Sequence, residues 1–381
     1  MREPGRQVVR RRLLIGGEME WPAPGRPTDA SSPRTPRGSC QSVTTGRTAL
    51  ALIARAAAAE RRKGPALVPA YICPAVVQAF RSAGRTVRFY PVDRSLAPDE
   101  AALARLAERH VPALVVVAHY FGFPAAGAVF DTLAPFRDRC WVIEDCAHGS
   151  WIEGPSAPVG RRGDFVLTSF RKYLPLADGG WLLNRTGAAL PELPPAETPF
   201  VTMRIAAKAL SAEYRAGGAG VEAEARYLEL FARAERQVDA RVPMFAMSAA
   251  SRAMLALCDV GGAMRRRRRN FTRVIEHVRR RSIAAVASPL FDRLPAGVSP
   301  LALPLRVRRR TRDRLRAALA ARQVFCPVHW ARLPAGVRGR EFGAALETAD
   351  EIIGLPIDQR YGDADIDQML TRLSAACREV R

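Results

Sequence analysis

Three short segments carry residue types that could do chemistry. The first, Leu167-Thr168-Ser169-Phe170-Arg171-Lys172-Tyr173-Leu174-Pro175, runs from apolar residues into an adjacent arginine and lysine. Only three of the 59 basic residues are lysine, namely Lys63, Lys172 and Lys208, and arginine serves elsewhere. A lone lysine is ordinarily a solvated surface charge. An amine, unlike a guanidinium, can lose its proton and form a Schiff base with a carbonyl compound. The second segment, Ile143-Glu144-Asp145-Cys146-Ala147-His148-Gly149, takes an apolar run into two carboxylates, with a histidine three positions beyond Asp145. It reads either as an acid at the ligand edge of a sheet or as a helix cap at Asp145 beside a satisfied histidine. The third is Thr45-Gly46-Arg47-Thr48-Ala49-Leu50, a glycine leading directly into a helical pattern. Free N–H groups at a helix start suit a phosphate, although many helices begin this way.

These segments need a scaffold that gathers them, and the hydrophobic patterning supplies one. Short apolar runs at 66–69, 87–90, 113–118 and 140–143 read as strands. They alternate with helical patterns at 48–62, 74–83, 98–108 and 130–136. Such a rhythm predicts an α/β protein with a mostly parallel sheet and helices on both faces. Further strands are expected at 164–168 and 181–184, followed by a helix-rich stretch over 203–281. A smaller α/β unit ends the chain, with strands near 301–307 and 324–328 and helices at 312–322 and 363–377. Residues 23–41 are rich in Pro, Gly, Ser and Thr. The expected organisation is an N-terminal arm (1–41), a large sheet domain (42–255) and a small C-terminal domain (256–381).

Composition narrows the classes. The 381 residues are 48% hydrophobic and 25% charged, enough for a sizeable core and against wholesale disorder. The net charge of +22 first points to an anionic partner such as nucleic acid. That excess is arginine in an alanine- and arginine-rich chain, a bias that needs no selected partner. The basic run at 265–269 spans more than one helical turn, so its charges point around the axis as on a solvated helix. Nucleic-acid binding is therefore not expected. The longest charge-free run, 111–130, contains Pro112, Gly122, Pro124 and Gly127, which fits a strand and turn better than a membrane span. The apolar stretch after Arg10-Arg11-Arg12 ends at Gly16-Gly17-Glu18, too short for a signal sequence. Seven widely spaced cysteines without a C-x-x-C read as free thiols, with neither a disulfide framework nor a metal site. A cytoplasmic protein is expected.

A phosphate cup, a carboxylate and a lone lysine together fit pyridoxal phosphate, which needs a partner for its phosphate, its ring nitrogen and its aldehyde. In order and spacing the chain resembles the DegT/DnrJ/EryC1/StrS family of pyridoxal-phosphate-dependent aminotransferases over about residues 15–375. The resemblance runs through Ile15-Gly16-Gly17-Glu18, Gly46-Arg47-x-Ala49-Leu50, His119-Tyr120-Phe121-Gly122, Glu144-Asp145-x-Ala147-His148 and Ser169-Phe170-Arg171-Lys172. It continues at Pro327-Val328-His329-Trp330 and Leu355-Pro356-Ile357-Asp358-Gln359-Arg360-Tyr361. It implies fold type I, the aspartate-aminotransferase-like architecture of a large and a small domain.

By the same resemblance Lys172 is the Schiff-base lysine and Asp145 the partner of the pyridinium N–H. His148 stands where relatives usually carry a glutamine that contacts the ring's phenolic oxygen. Gly46, Arg47, Thr48 and Ser169 fall at the phosphate, with Arg47 replacing a common threonine. Tyr71 lies in the segment that supplies a ring-stacking aromatic, in a register that also admits Cys73. His329 falls among substrate contacts. The chain departs from the pattern in two places. It lacks the Gly-Tyr-Asn whose asparagine enters the neighbouring subunit, reading Arg241-Val242-Pro243-Met244-Phe245-Ala246 instead, and it has Ala177-Asp178-Gly179-Gly180 for Gly-Glu-Gly-Gly. Sugar 3-dehydrases of the family replace the lysine by histidine, so Lys172 speaks against that chemistry. The implied activity is amino transfer, with glutamate as donor and a 3- or 4-keto nucleotide-activated deoxysugar as acceptor, in a homodimer. Amination of a non-sugar cyclic ketone, and a catalytically weak family member with a binding role, are the alternatives.

Overall fold

The computed structural model describes residues 13–21, 39–149, 158–196 and 198–381. Most of the expected N-terminal arm lies outside the described residues. Its described parts are not free-standing. Strand β1 (Ile15–Gly16) pairs in parallel with a strand near the other end of the chain, and Leu14, Ile15 and Met19 are buried. Strand β2 (Ser39–Val43) begins inside the expected arm and is an edge strand. Its Ser-Cys-Gln-Ser-Val sequence shows no apolar alternation because most of it is only partly buried.

The main sheet then follows the expected alternation. Helix α1 (Gly46–Ala59), strand β3 (Ala66–Pro69), α2 (Pro74–Ser82), β4 (Val87–Tyr90), α3 (Glu100–His110), β5 (Leu114–Ala118), α4 (Ala128–Leu133), β6 (Trp141–Cys146), β7 (Phe165–Thr168) and β8 (Gly180–Asn184) come in turn. The seven strands lie in the order β2-β8-β7-β6-β5-β3-β4. Strands β7, β6, β5, β3 and β4 are parallel, β8 runs antiparallel to β7, and β2, antiparallel to β8, forms that edge. Every residue of β5 is buried, as its Leu-Val-Val-Val-Ala sequence requires of a strand covered on both faces.

The helix-rich stretch resolves into α5 (Pro199–Ala216), α6 (Val221–Ala240), α7 (Ala249–Leu257) and α8 (Val260–Val278), with α5 and α6 packed along each other. The C-terminal part comprises α9 (Arg281–Ala284), β9 (Ala287–Pro289), β10 (Leu303–Val307), α10 (Arg312–Ala320), β11 (Val324–Phe325), α11 (Gly343–Glu351), β12 (Ile352–Leu355) and α12 (Asp363–Glu379). An antiparallel sheet runs β12-β10-β9, and β11 is the partner of β1. Gly16 fits against β11 only as glycine: its φ is +102°, and a Cβ there would sit 2.0 Å from the Phe325 carbonyl oxygen.

The basic run at 265–269 differs from its expected solvated state. Arg267 is fully buried on α8 and donates to the carbonyls of Pro300, Leu301 and Tyr173 and to Gln359, with its guanidinium 4.1 Å from the Tyr173 ring centre. Arg268 donates to the Pro295 and Val298 carbonyls, and Arg266 pairs with Asp363. Loop carbonyls on one side of the helix recruit these residues. No helix among the described residues is long and apolar enough to cross a membrane.

Candidate active site

Strands β5, β6 and β7 run in register, with Ala118 opposite Asp145 and Cys146 opposite Thr168. Their C-terminal ends therefore deliver three segments to one edge: 119–120 after β5, 145–148 from β6, and 169–172 after β7. The last of these is a single 3-10 turn, Phe170–Lys172. Close packing beneath it depends on Gly180, where a Cβ would stand 2.2 Å from the Thr168 carbonyl oxygen. The start of α1 completes the edge. Thr45 caps that helix by accepting the Thr48 N–H, which presents Gly46 and Arg47 on the same side.

The segments line a cavity of about 110 Å³. Gly46, Arg47, Asp145, His148, Ser169 and Lys172 all line it, so six of the sequence candidates converge. Cys73, Tyr120, Ala147 and Trp330 complete the walls. A wider cleft of about 950 Å³ shares Arg47, Cys73, His148, Arg171, Lys172 and Trp330 with the cavity and reaches His329, Glu18 and Arg316.

Charge inside the cavity is poised. Burial lowers the proton affinity of Lys172 from its ordinary value; Cys73 and Asp145 oppose this, while Arg171 and Arg47 add to it. Burial raises Asp145, opposed by Lys172 and by the Ala147 N–H that donates to its Oδ1 at 2.9 Å. A cation brought to Asp145 would favour the carboxylate. Burial, helped by Lys172 and His329, pushes His148 well below the usual imidazole range, so its ring is neutral. Its Nδ1 accepts the Phe121 N–H at 3.4 Å, which leaves the ring proton on Nε2. The ring stacks on Trp330 at 5.2 Å between centres. His329, brought down to about 3 by burial and Lys172, packs edge-on to His148, and its Nδ1 is buried with no partner among the described residues.

Two sequence candidates stay outside. Thr48 does not line the cavity, because its N–H is taken by Thr45 and its hydroxyl donates to the Pro243 carbonyl at 2.7 Å. Tyr71 is fully buried behind the wall, where its ring meets Tyr120 and Trp330 and its carbonyl accepts the Tyr120 hydroxyl at 2.6 Å. Cys73 is the residue of that segment that reaches the cavity.

Sequence reasoning missed Trp330 and a charge chain beneath Lys172. Arg171 donates to Glu235 at 2.8 Å, Arg204 bridges Glu235 and Glu18 at 2.7 and 2.8 Å, and Lys208 reaches Glu18 at 3.3 Å. Lys208, lowered to about 8 by burial against the opposing pull of Glu18, is buried like Arg204. The scarcity of lysine marked Lys208 as clearly as Lys172.

The donor set fits pyridoxal phosphate. Arg47 Nη2 pairs with Asp239 at 2.6 Å, while its Nη1 is buried and has no partner among the described residues. That is an unspent cationic donor beside Gly46 and Ser169, suited to a phosphate. Asp145 and Lys172 supply the carboxylate and the amine for the ring nitrogen and the aldehyde. No group of His, Cys, Asp and Glu that could hold a metal ion occurs among the described residues.

Comparisons with known proteins place the fold and the family. Among solved structures the chain is similar to the sugar aminotransferase CalS13 from Micromonospora echinospora, at 18% identity and a TM-score of 0.61 over 88% of this chain and 87% of that one. It is likewise similar to the aminotransferase TlmJ from Streptoalloteichus hindustanus, at 21% identity and a TM-score of 0.61 over 89% and 86%. The Helicobacter pylori aminotransferase PseC, involved in the biosynthesis of pseudoaminic acid, shares 12% identity and a TM-score of 0.61 over 89% and 87%. No curated protein sequence matches. The profile of the DegT/DnrJ/EryC1/StrS aminotransferase family matches residues 37–374. The chain belongs to that family and is a pyridoxal-phosphate-dependent aminotransferase of fold type I.

Proposed function

We propose that the enzyme moves an amino group from glutamate to the keto carbon of a nucleotide-activated deoxysugar, with Lys172 as its proton carrier. The observation that carries this reading is the convergence of Lys172, Asp145 and Arg47, distant in sequence, on one buried cavity. Pyridoxal phosphate, when bound, supplies an aldehyde to take the amino group and a ring that withdraws electrons from the adjacent carbon. Gly46, Arg47 and Ser169 would hold its phosphate, Asp145 its protonated ring nitrogen, and His148 Nε2–H its phenolic oxygen. Lys172 would hold the aldehyde carbon at rest. Once the donor amine has taken its place, the free Lys172 amine would be able to accept the Cα proton of the donor and to return it, serving as both base and acid. The lowered proton affinity of Lys172 suits a base that must work near neutral pH. The acceptor half-reaction runs the same proton transfer in reverse.

The wide cleft supports an acceptor larger than glutamate, and His329 stands on its wall. We further read residues 42–255 as the cofactor-binding domain and 256–381 as the small domain, in a cytoplasmic homodimer. The free thiols of Cys73, Cys140, Cys146, Cys258, Cys326 and Cys377 fit that reducing compartment.

The test is transfer from ¹⁵N-glutamate to 3- and 4-keto nucleotide deoxysugars and to carbocyclic ketones, read by mass spectrometry. A labelled amino sugar that Lys172→Ala does not produce is expected. Labelling of the carbocycle alone would overturn the sugar reading, and no transfer to any ketone would overturn the acceptor class.

A further inference from the structure

The phosphate end of the cavity holds a relationship that the family pattern does not contain. Arg47, in the first turn of α1, is split between two environments. Nη2 is 2.6 Å from Asp239 Oδ1, and Nη1 is buried without a partner among the described residues. The Arg47 side chain is 15% exposed, whereas that of Asp239 is 62% exposed. Asp239 therefore holds Arg47 from outside while the other half of the fork points inward.

Asp239 occupies the last turn of α6, where the helix dipole disfavours a carboxylate. Its placement is explained by Arg47 and not by its own helix. The segment that follows is fastened to the same turn. The Phe245 carbonyl accepts both the N–H and the hydroxyl of Thr44, at 3.0 and 2.8 Å. The Pro243 carbonyl accepts the Thr48 hydroxyl at 2.7 Å, and the Asp239 carbonyl accepts the Gln78 amide. Residues 239–245 thus form a brace along the start of α1.

From this geometry we infer that Asp239 is a positioning residue and that the Asp239–Arg47 pair forms a phosphate clamp made within one chain. Asp239 fixes one edge of the guanidinium so that Nη1 meets the phosphate dianion. A braced guanidinium loses less freedom on binding than a free one and offers a charge-assisted hydrogen bond. The clamp also links the two ends of the site, because Arg47 is one of the charges acting on Lys172. The inference rests on pyridoxal phosphate being the ligand of this cavity.

The experiment measures equilibrium binding of pyridoxal phosphate, and of pyridoxal without its phosphate, to the full-length apoenzyme. Arg47→Thr and Asp239→Ala are compared with the wild type, and folding of each is checked by circular dichroism. Arg47→Thr should weaken pyridoxal phosphate about tenfold to a hundredfold and pyridoxal far less, since pyridoxal loses only the influence of Arg47 on the Lys172 amine. Inorganic phosphate should compete with pyridoxal phosphate in the wild type at lower concentrations than in Arg47→Thr. Asp239→Ala should weaken pyridoxal phosphate about threefold to tenfold although it removes a negative charge. Tighter binding by Asp239→Ala, the result that charge alone dictates, would overturn the bracing role. Equal binding by Arg47→Thr would overturn the clamp while leaving the site assignment intact. Failure of the wild type to bind either aldehyde would overturn both.

Discussion

Glu144 and Asp145 are neighbours on β6, yet their carboxylates face opposite sides of the sheet. Asp145 lines the cavity, whereas Glu144 is buried on the other side. There it bonds His119 at 2.9 Å and accepts the N–H groups of Gly160, Arg162 and Gly163 at 2.8, 2.6 and 2.5 Å. The alternation of a strand separates a binding carboxylate from a structural one. The structural one ties the loop at 160–163 to the strand and the His119 ring to both.

Stability should therefore depend on acid through Glu144. Burial raises its proton affinity, but His119 and the backbone donors outweigh burial and bring its pKa from 4.5 to about 2. A depressed carboxylate contributes in full above its ordinary value and loses that contribution as pH falls through the folded one. Glu144→Gln should cost about 1–3 kcal/mol at neutral pH. The gap between variant and wild type in urea unfolding should narrow between pH 4.5 and 2. A gap that is constant with pH would contradict the assignment.

Capture of pyridoxal phosphate by the apoenzyme requires the neutral amine of Lys172. Because its proton affinity is lowered, the capture rate should rise with pH along a limb centred below the ordinary 10.5. Arg171→Met removes one of the charges that lower it, so the limb should move toward higher pH. Stopped-flow absorbance across the pH range reads both midpoints. An unmoved limb would show that Arg171 does not act on the amine.

Replacing His148 separates its hydrogen bonding from its ring stacking. Glutamine can accept the Phe121 N–H with its carbonyl and donate from its amide, so His148→Gln should keep kcat within about threefold. His148→Leu offers neither bond and should lower kcat about tenfold to a hundredfold. Equal losses in the two variants would point to ring stacking on Trp330 as the property that matters.

Arg267 is buried against carbonyl oxygens and Gln359, so Arg267→Met should cost about 2–4 kcal/mol by stranding them. Arg265, exposed two positions earlier on the same helix, should tolerate alanine within about 0.5 kcal/mol. Chemical unfolding of the two variants makes the comparison.

The parallel strands and their helices were legible because continuous apolar runs such as Leu-Val-Val-Val-Ala have few other uses. The edge strand β2 was not, since a half-exposed edge needs no hydrophobic pattern. The scarcity of lysine drew attention to Lys172, but it applied equally to Lys208, which is also buried and serves an ion-pair chain. What separates the two is position: only Lys172 follows a strand onto the ligand edge of the sheet. Gly46, Arg47, Asp145, His148 and Ser169 lie in segments that local pattern marked and that the family resemblance assigned to the site, and all five line the cavity. Trp330 and the Arg47–Asp239 pair were not, because their partners arrive from α6 and from beyond β11. Thr48 and Tyr71 had suitable chemistry in the right segments but turn to backbone and core.

The pairing of β1 with β11 sets a schedule for making the enzyme. Gly16, Gly17 and Glu18 line the outer cleft, and strand β1, which ends at Gly16, finds its partner only at Val324 and Phe325. The parallel sheet can assemble while the chain is still emerging, but this wall of the cleft must wait until β11 has been synthesised. Strands β6 and β7 thus leave the ribosome well before the wall at residues 16–18 can be fixed in place.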